Sequence, residues 1–246
     1  MLNTIKDQDY EGYSAIVGCP SVGNVGQLSV DLMVSTLKAE YIGMIWHEAL
    51  LPFIGPDPYD EKSKQLCSSN DFYFCKDQKL ILIQFRVALC KAYQSKYLKE
   101  LLEHLIKMKI KRVIILTGLF AHHRDDSELR TGAFRFITCT KSNLQEGNTF
   151  RSLNWTQLKG NEESSGFECP RLPGGGFTKE LFNLCKSAGM PCITLLHFCS
   201  EGDNSVDAIQ ITKKIDEWLH VLAEKPLIFP TSWKCLFGTA IPSDIY

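Results

Sequence analysis

No stretch of this 246-residue chain runs through enough consecutive apolar residues to span a bilayer as a helix. Neither sign of charge prevails, since 27 lysines and arginines stand against 28 aspartates and glutamates for a formal net charge of −1. The first absence argues against a helical membrane protein. The second removes the concentrated basic face that nucleic acid or an anionic membrane would require, so neither is an expected partner. The ten cysteines, at 19, 67, 75, 90, 139, 169, 185, 192, 199 and 235, include no CxxC pair, and a zinc site is not expected. The amino terminus, Met1-Leu2-Asn3-Thr4-Ile5-Lys6-Asp7, lacks the basic start and apolar core of a secretory leader. There is no Pro/Gly/Ser-rich linker, internal repeat or low-complexity tract.

What is present points to a soluble intracellular protein. At 44% hydrophobic and 22% charged, a chain of this length buries about 70–75% of its unfolded surface. A single domain over 1–246 is expected, with 226–246 as a C-terminal extension. Most cysteines lie in apolar runs such as Pro191-Cys192-Ile193-Thr194-Leu195-Leu196-His197-Phe198-Cys199. Free thiols there behave as small buried hydrophobes, which fits a reducing compartment.

Apolar runs rich in strand formers alternate with helical periodicity along the chain. Residues 13–18 read as a strand and 24–38 as a helix with Val25, Leu28, Leu32, Met33, Thr36 and Leu37 on one face. Residues 41–47 read as a second strand, and Pro52, Pro56 and Pro58 then mark an extended loop. Phe72 to Cys75 and Leu80 to Val87 form an antiparallel hairpin turning at 76–79. A helix over 93–109 places Tyr97, Leu98, Leu101, Leu102, Leu105 and Ile106 on its apolar side. The continuous run at 112–119 suits a strand covered on both faces. Beyond a polar loop at 120–132, residues 134–139 read as a strand, 141–170 as weakly patterned, 178–188 as a helix, 191–199 as a strand and 204–223 as a helix. The fold class is α/β: a single-domain α/β/α sandwich with a largely parallel central sheet and an antiparallel hairpin.

The segment Gly18-Cys19-Pro20-Ser21-Val22-Gly23-Asn24-Val25-Gly26 links a strand to a helix, the place where nucleotide-binding folds cradle phosphate. A P-loop requires lysine and a hydroxyl residue after the second glycine, and here Asn24 and Val25 stand there. A dinucleotide fingerprint requires two glycines one residue apart, and none occur in this loop. Close packing is a sufficient reason for glycine, although backbone amides there retain the capacity to hold an anion. Pro173-Gly174-Gly175-Gly176 reads the same way. His122-His123-Arg124-Asp125-Asp126 crowds imidazoles with carboxylates but lacks the spacing of a metal site, so a solvated or partner-contacting loop is expected. His197 and Cys199 share one strand face, an arrangement that core packing explains. Glu201-Gly202-Asp203-Asn204 lies where α/β enzymes keep catalytic groups, yet Asp203 or Asn204 is also an ordinary helix cap. No catalytic residue, metal ligand or cofactor is assigned.

Several segments in order resemble the proteasome assembly chaperone family: Ser21-Val22-Gly23-Asn24-Val25-Gly26-Gln27-Leu28, Arg124-Asp125-Asp126-Ser127-Glu128-Leu129-Arg130 with Phe134-Arg135, Leu153-Asn154-Trp155, Pro173-Gly174-Gly175-Gly176, Ser200-Glu201-Gly202-Asp203-Asn204, Glu217-Trp218-Leu219 and Ser232-Trp233-Lys234-Cys235-Leu236-Phe237-Gly238. The resemblance implies a non-enzymatic α/β protein of cytoplasm and nucleus that pairs with proteasome assembly chaperone 1. The implied heterodimer binds proteasome α-ring subunits and 20S assembly intermediates, promotes α-ring assembly and prevents off-pathway ring dimers. Candidate partner-binding residues are then Arg124, Asp126, Arg130, Arg135, Ile245 and Tyr246. Ile245-Tyr246 supplies the apolar residue and tyrosine of the family's hydrophobic-tyrosine-any-residue ending and lacks the final residue. Insertion between α subunits and a frayed terminus are both open for it. The alternative function is an α/β hydrolase- or phosphorylase-like enzyme with an anion site at the 23–26 glycine loop.

Overall fold

The computed structural model describes residues 2–124, 126–158, 169–223 and 225–235. In chain order these form β1 (Leu2–Asn3), β2 (Ser14–Gly18), α1 (Val25–Leu37), β3 (Glu40–Trp46), β4 (Ile54–Pro56), β5 (Leu66–Ser68), β6 (Asn70–Cys75) and β7 (Leu80–Phe85). There follow α2 (Lys91–Lys107), β8 (Arg112–Phe120), α3 (Asp126–Leu129), β9 (Phe134–Thr138), α4 (Thr140–Ser152), α5 (Thr178–Ser187), β10 (Cys192–Cys199) and α6 (Ser205–Leu219). Eight strands make one sheet in the order β1-β3-β6-β7-β2-β8-β10-β9, while β4 and β5 pair as a separate two-stranded ribbon.

The centre of the sheet, β7-β2-β8-β10, is parallel. Antiparallel strands widen it on both sides: β6, β3 and β1 on one margin and β9 on the other. The expected hairpin is β6–β7, closed at Cys75 opposite Leu80. The central strands are apolar at nearly every position because both faces are covered, and alternate residues enter different cores. Ala15, Val17, Ile81, Ile83, Val113 and Ile115 pack with Leu98 and Leu101 of α2 and Leu181 of α5. Ile16, Leu82, Ile114 and Leu116 pack on the other side with Val30 and Met33 of α1 and Ile211 and Ile215 of α6.

Three local expectations change. The weakly patterned segment after residue 141 begins inside α4. This helix is held by a few contacts rather than a long apolar stripe. Phe150 stacks on Trp155 with ring centroids 5.0 Å apart and meets Trp218 edge-on, while Glu146 pairs with Arg112 and accepts the Trp218 indole N–H at 3.1 Å. Helix α6 stops at Leu219 instead of 223 because His220 turns left-handed (φ 51) and the Asp216 carboxylate captures the Leu222 N–H at 2.7 Å. Ile106, expected on the buried face of α2, is 45% exposed at the border of the stripe. Of the free cysteines whose surroundings are described, only Cys90 is exposed.

Candidate functional site

The carboxyl ends of the parallel strands, where α/β enzymes open their sites, are filled in this chain by its own backbone. Helix α1 crosses β8 so closely that a Cβ at Gly26 would lie 2.1 Å from the Leu116 carbonyl oxygen. At Gly23 (φ 64) it would lie 2.5 Å from the amide of Asn204, and at Gly176 (φ 57) 2.0 Å from the Pro20 carbonyl oxygen. The three loops singled out by sequence, 18–26, 173–176 and 201–204, therefore converge and pack on one another. Bonds knit them together: Val22 N–H to Gly174 O at 2.9 Å, Phe120 N–H to Pro173 O at 3.1 Å and Gly118 N–H to Ser21 Oγ at 2.8 Å. Asn204 donates to Gly202 O, while Asp203 turns the chain into α6 by accepting the Ser205 N–H.

The nucleophile candidates are equally committed to packing. Burial pushes the Cys19 thiol up to about 12 and the Cys199 thiol up to about 11, so neither supplies a thiolate near neutrality. His197 is buried with Nε2 3.1 Å from Gln210 Oε1 and Nδ1 3.4 Å from Asp207. His122 and His123 lie beside Phe120 with their own ring centroids 4.5 Å apart, and no metal-binding group of three or more His, Cys, Asp or Glu occurs among the described residues.

The structure brings Arg124 and Arg135 together. Both guanidinium groups lie over the Phe198 ring, at 5.4 and 5.8 Å from its centroid. Arg124 donates to the carbonyls of Glu128 and Thr131, and Arg135 to those of Gly132 and Phe134 and to the Thr131 hydroxyl. Glu128 stands 3.6 Å from Arg135, and its charge holds the guanidinium pKa up against the larger downward pull of burial. Loops are ordinarily the mobile parts of a domain, but here two cations hold the carbonyls of Glu128, Thr131, Gly132 and Phe134. Arg135 is 1% exposed, so what it contributes to a partner surface is the shape of this loop. Asp126, Arg130 and the 60%-exposed Leu129 are among the residues that the loop presents to solvent, with His122, His123 and Thr131. Ile245 and Tyr246 lie outside the described residues, as do Asp125 and 236–238 of the resembling segments.

A second surface lies in what sequence reads as a loop. The ribbon β4–β5 and its approach carry exposed Leu51, Phe53, Ile54 and Leu66. The segment 225–235 joins it, with Ile228 N–H donating to Thr36 Oγ1 at 3.0 Å and both Thr231 Oγ1 and Ser232 N–H to Pro58 O at 3.0 Å. Ile228 and Phe229 are themselves 44% and 53% exposed. Beneath, a buried ion pair ties this loop to the sandwich. Asp31 of α1 accepts from Arg86 at 2.7–2.8 Å and from the Tyr59 hydroxyl at 2.6 Å. Leu51-Pro52-Phe53-Ile54, an apolar run among prolines, was the signal in the sequence for this surface. Clustered exposed apolar side chains of this kind mark contact sites for other proteins.

The sequence profile of the PAC2 family matches residues 15–215. The chain is 32% identical to proteasome assembly chaperone 2 of Xenopus tropicalis, over 98% of each sequence. It is also 32% identical to proteasome assembly chaperone 2 of Homo sapiens, over 97% of this chain and 96% of the other. Among solved structures it is similar to Pyrococcus furiosus PbaA, an archaeal homolog of proteasome-assembly chaperone, with a TM-score of 0.70 at 17% identity over 96% of this chain and 92% of that one. With the profile covering most of its length and relatives of this identity aligned nearly end to end, the chain belongs to the PAC2 family.

Proposed function

We propose that this protein is a proteasome assembly chaperone that acts by binding alone. It pairs with proteasome assembly chaperone 1, and the heterodimer holds α subunits, promotes closure of the 20S α ring and prevents off-pathway ring dimers in cytoplasm and nucleus. The observation that carries this reading is the end-to-end similarity to relatives named proteasome assembly chaperone 2. The packed glycine loops support it from a different direction, because the usual catalytic end of the sheet presents backbone and core where an enzyme presents a cleft. Two surfaces are available for the work: the arginine-held loop 121–132 and the apolar ribbon with segment 225–235.

Co-expression with proteasome assembly chaperone 1, followed by affinity purification and size-exclusion chromatography, tests the proposal. The expected result is a one-to-one complex that retains α subunits from a lysate and shortens the time to a complete α ring. A chain that remains alone beside that partner and retains no α subunit refutes it.

A further inference from the structure

Beside the ribbon, a cavity of about 640 Å³ opens where the α1 side of the sheet runs out of helix. Its floor is the end of α1 with β3 and β6, and its roof is the loop 57–67 with Ile228. Three tyrosine rings line it. Tyr41 and Tyr73 have centroids 5.7 Å apart with planes at 70°, and Tyr59 and Tyr73 are 5.4 Å apart at 88°. Successive near-right angles let aromatic walls bound one space from more than one side. A volume of this size suits a small ligand or a single long side chain.

The charges favour a cation. Asp57 and Asp60 stand at the mouth, and each carboxylate accepts one backbone N–H at 2.9 Å, from Tyr59 and Lys62. Glu40 is paired with Lys6, and Lys38 is the opposing charge. Behind the wall the Tyr59 hydroxyl donates to Asp31 and accepts from Arg86. The protein already uses this ring as a cation acceptor, since the Arg86 guanidinium carbon lies 5.8 Å from its centroid. We propose that the cavity is a binding site for an organic cation, an ammonium or guanidinium group on a short aliphatic stem. The rings hold the charge, Val34, Ala39 and Leu66 hold the stem, and Asp57 and Asp60 draw the group in. The cation comes either from a free amine or from an arginine or lysine side chain of another polypeptide.

Saturation-transfer NMR on the full chain, titrated with tetramethylammonium chloride and with n-propylguanidinium chloride at constant ionic strength, tests this. Sodium butyrate is the anionic counterpart of the same size. Saturable binding of at least one cation in the millimolar range is expected. It should weaken about tenfold in Tyr41→Leu and about threefold in Asp57→Asn, which keeps the backbone acceptor and loses only the charge. Stronger binding of propylguanidinium identifies a polypeptide side chain as the source, and stronger binding of tetramethylammonium a free quaternary amine. Because Asp57 is only half-buried and asparagine keeps its bond to the Tyr59 N–H, its variant remains informative if Tyr41→Leu does not fold. Absence of saturable binding by either cation, binding unchanged in Asp57→Asn and in folded Tyr41→Leu, or binding of butyrate alone overturns the proposal.

Discussion

Replacing a glycine inside a helix by alanine ordinarily stabilises it by about 1 kcal/mol; at Gly26 the opposite is expected. A methyl group there would stand 2.1 Å from Leu116 O, where ordinary contacts begin at 3.4 Å. The obstacle is backbone, so relief requires α1 and β8 to separate by more than an ångström. That separation pulls on the Cys19 N–H bond to Leu116 O, 2.9 Å long, and loosens Val25 and Val30 from the core. Overpacking of a side chain against a core costs about 1–3 kcal/mol. With the backbone as the obstacle the upper end applies, and the helix-propensity gain leaves a net loss of about 2 kcal/mol. For a chain of this size that lowers Tm by about 4–8 °C. Thermal melts by circular dichroism and urea titrations read by tryptophan fluorescence, with buried Trp155 and Trp218 as reporters, measure it. Gly132→Ala is the control: nothing lies within 4 Å of its Cβ position, and the change should stay within about 0.5 kcal/mol. A Gly26→Ala protein that melts at or above the parent temperature would show that close packing does not explain this glycine, and would return the loop to consideration as an anion cradle.

Two further expectations concern the candidate surface and pH. Arg135→Met removes the charged donors that hold the carbonyls of Gly132 and Phe134, at a cost of about 2 kcal/mol; amide hydrogen exchange across 126–134 should accelerate, and unchanged protection there would count against the arginine-held loop. Burial holds His47 below its ordinary value of 6.5, with Nδ1 accepting the Ala49 N–H, and burial likewise lowers His104. The unfolded chain therefore takes up protons first, and these groups make stability fall as pH drops through 6.5 and below. His47→Gln should flatten that dependence between about pH 7 and 5, and a variant whose Tm tracks the parent across this range would exclude His47 as a contributor.

The central architecture was legible because β2, β7, β8 and β10 are short apolar runs bounded by turn signals, and α1 and α2 carry clear stripes. Helix α4 was not, since its place depends on Phe150 meeting Trp218, a residue too distant in sequence for one window to join them. The ribbon β4–β5 was hidden for another reason: its strands are three residues long and the first lies among prolines, so the segment looks like loop. Asn24 and Val25 in place of a lysine and a hydroxyl point to close packing in the glycine loop, whereas its partners in that packing, Asn204 and Leu116, required coordinates. Arg135 shows the limit of a motif. The resemblance offers it to a partner, whereas the structure spends its charge on the loop's own carbonyls.

The strand order also bears on how this chain is made. β2 is synthesised before both of its neighbours in the sheet, which begin at Leu80 and Arg112, so neither of its edges can pair until about 65 further residues are added. At about 5–20 residues per second that is roughly 3–13 s on the ribosome. During that interval Ser14-Ala15-Ile16-Val17-Gly18, the axis of the finished sheet, is an exposed apolar strand with no sheet to join.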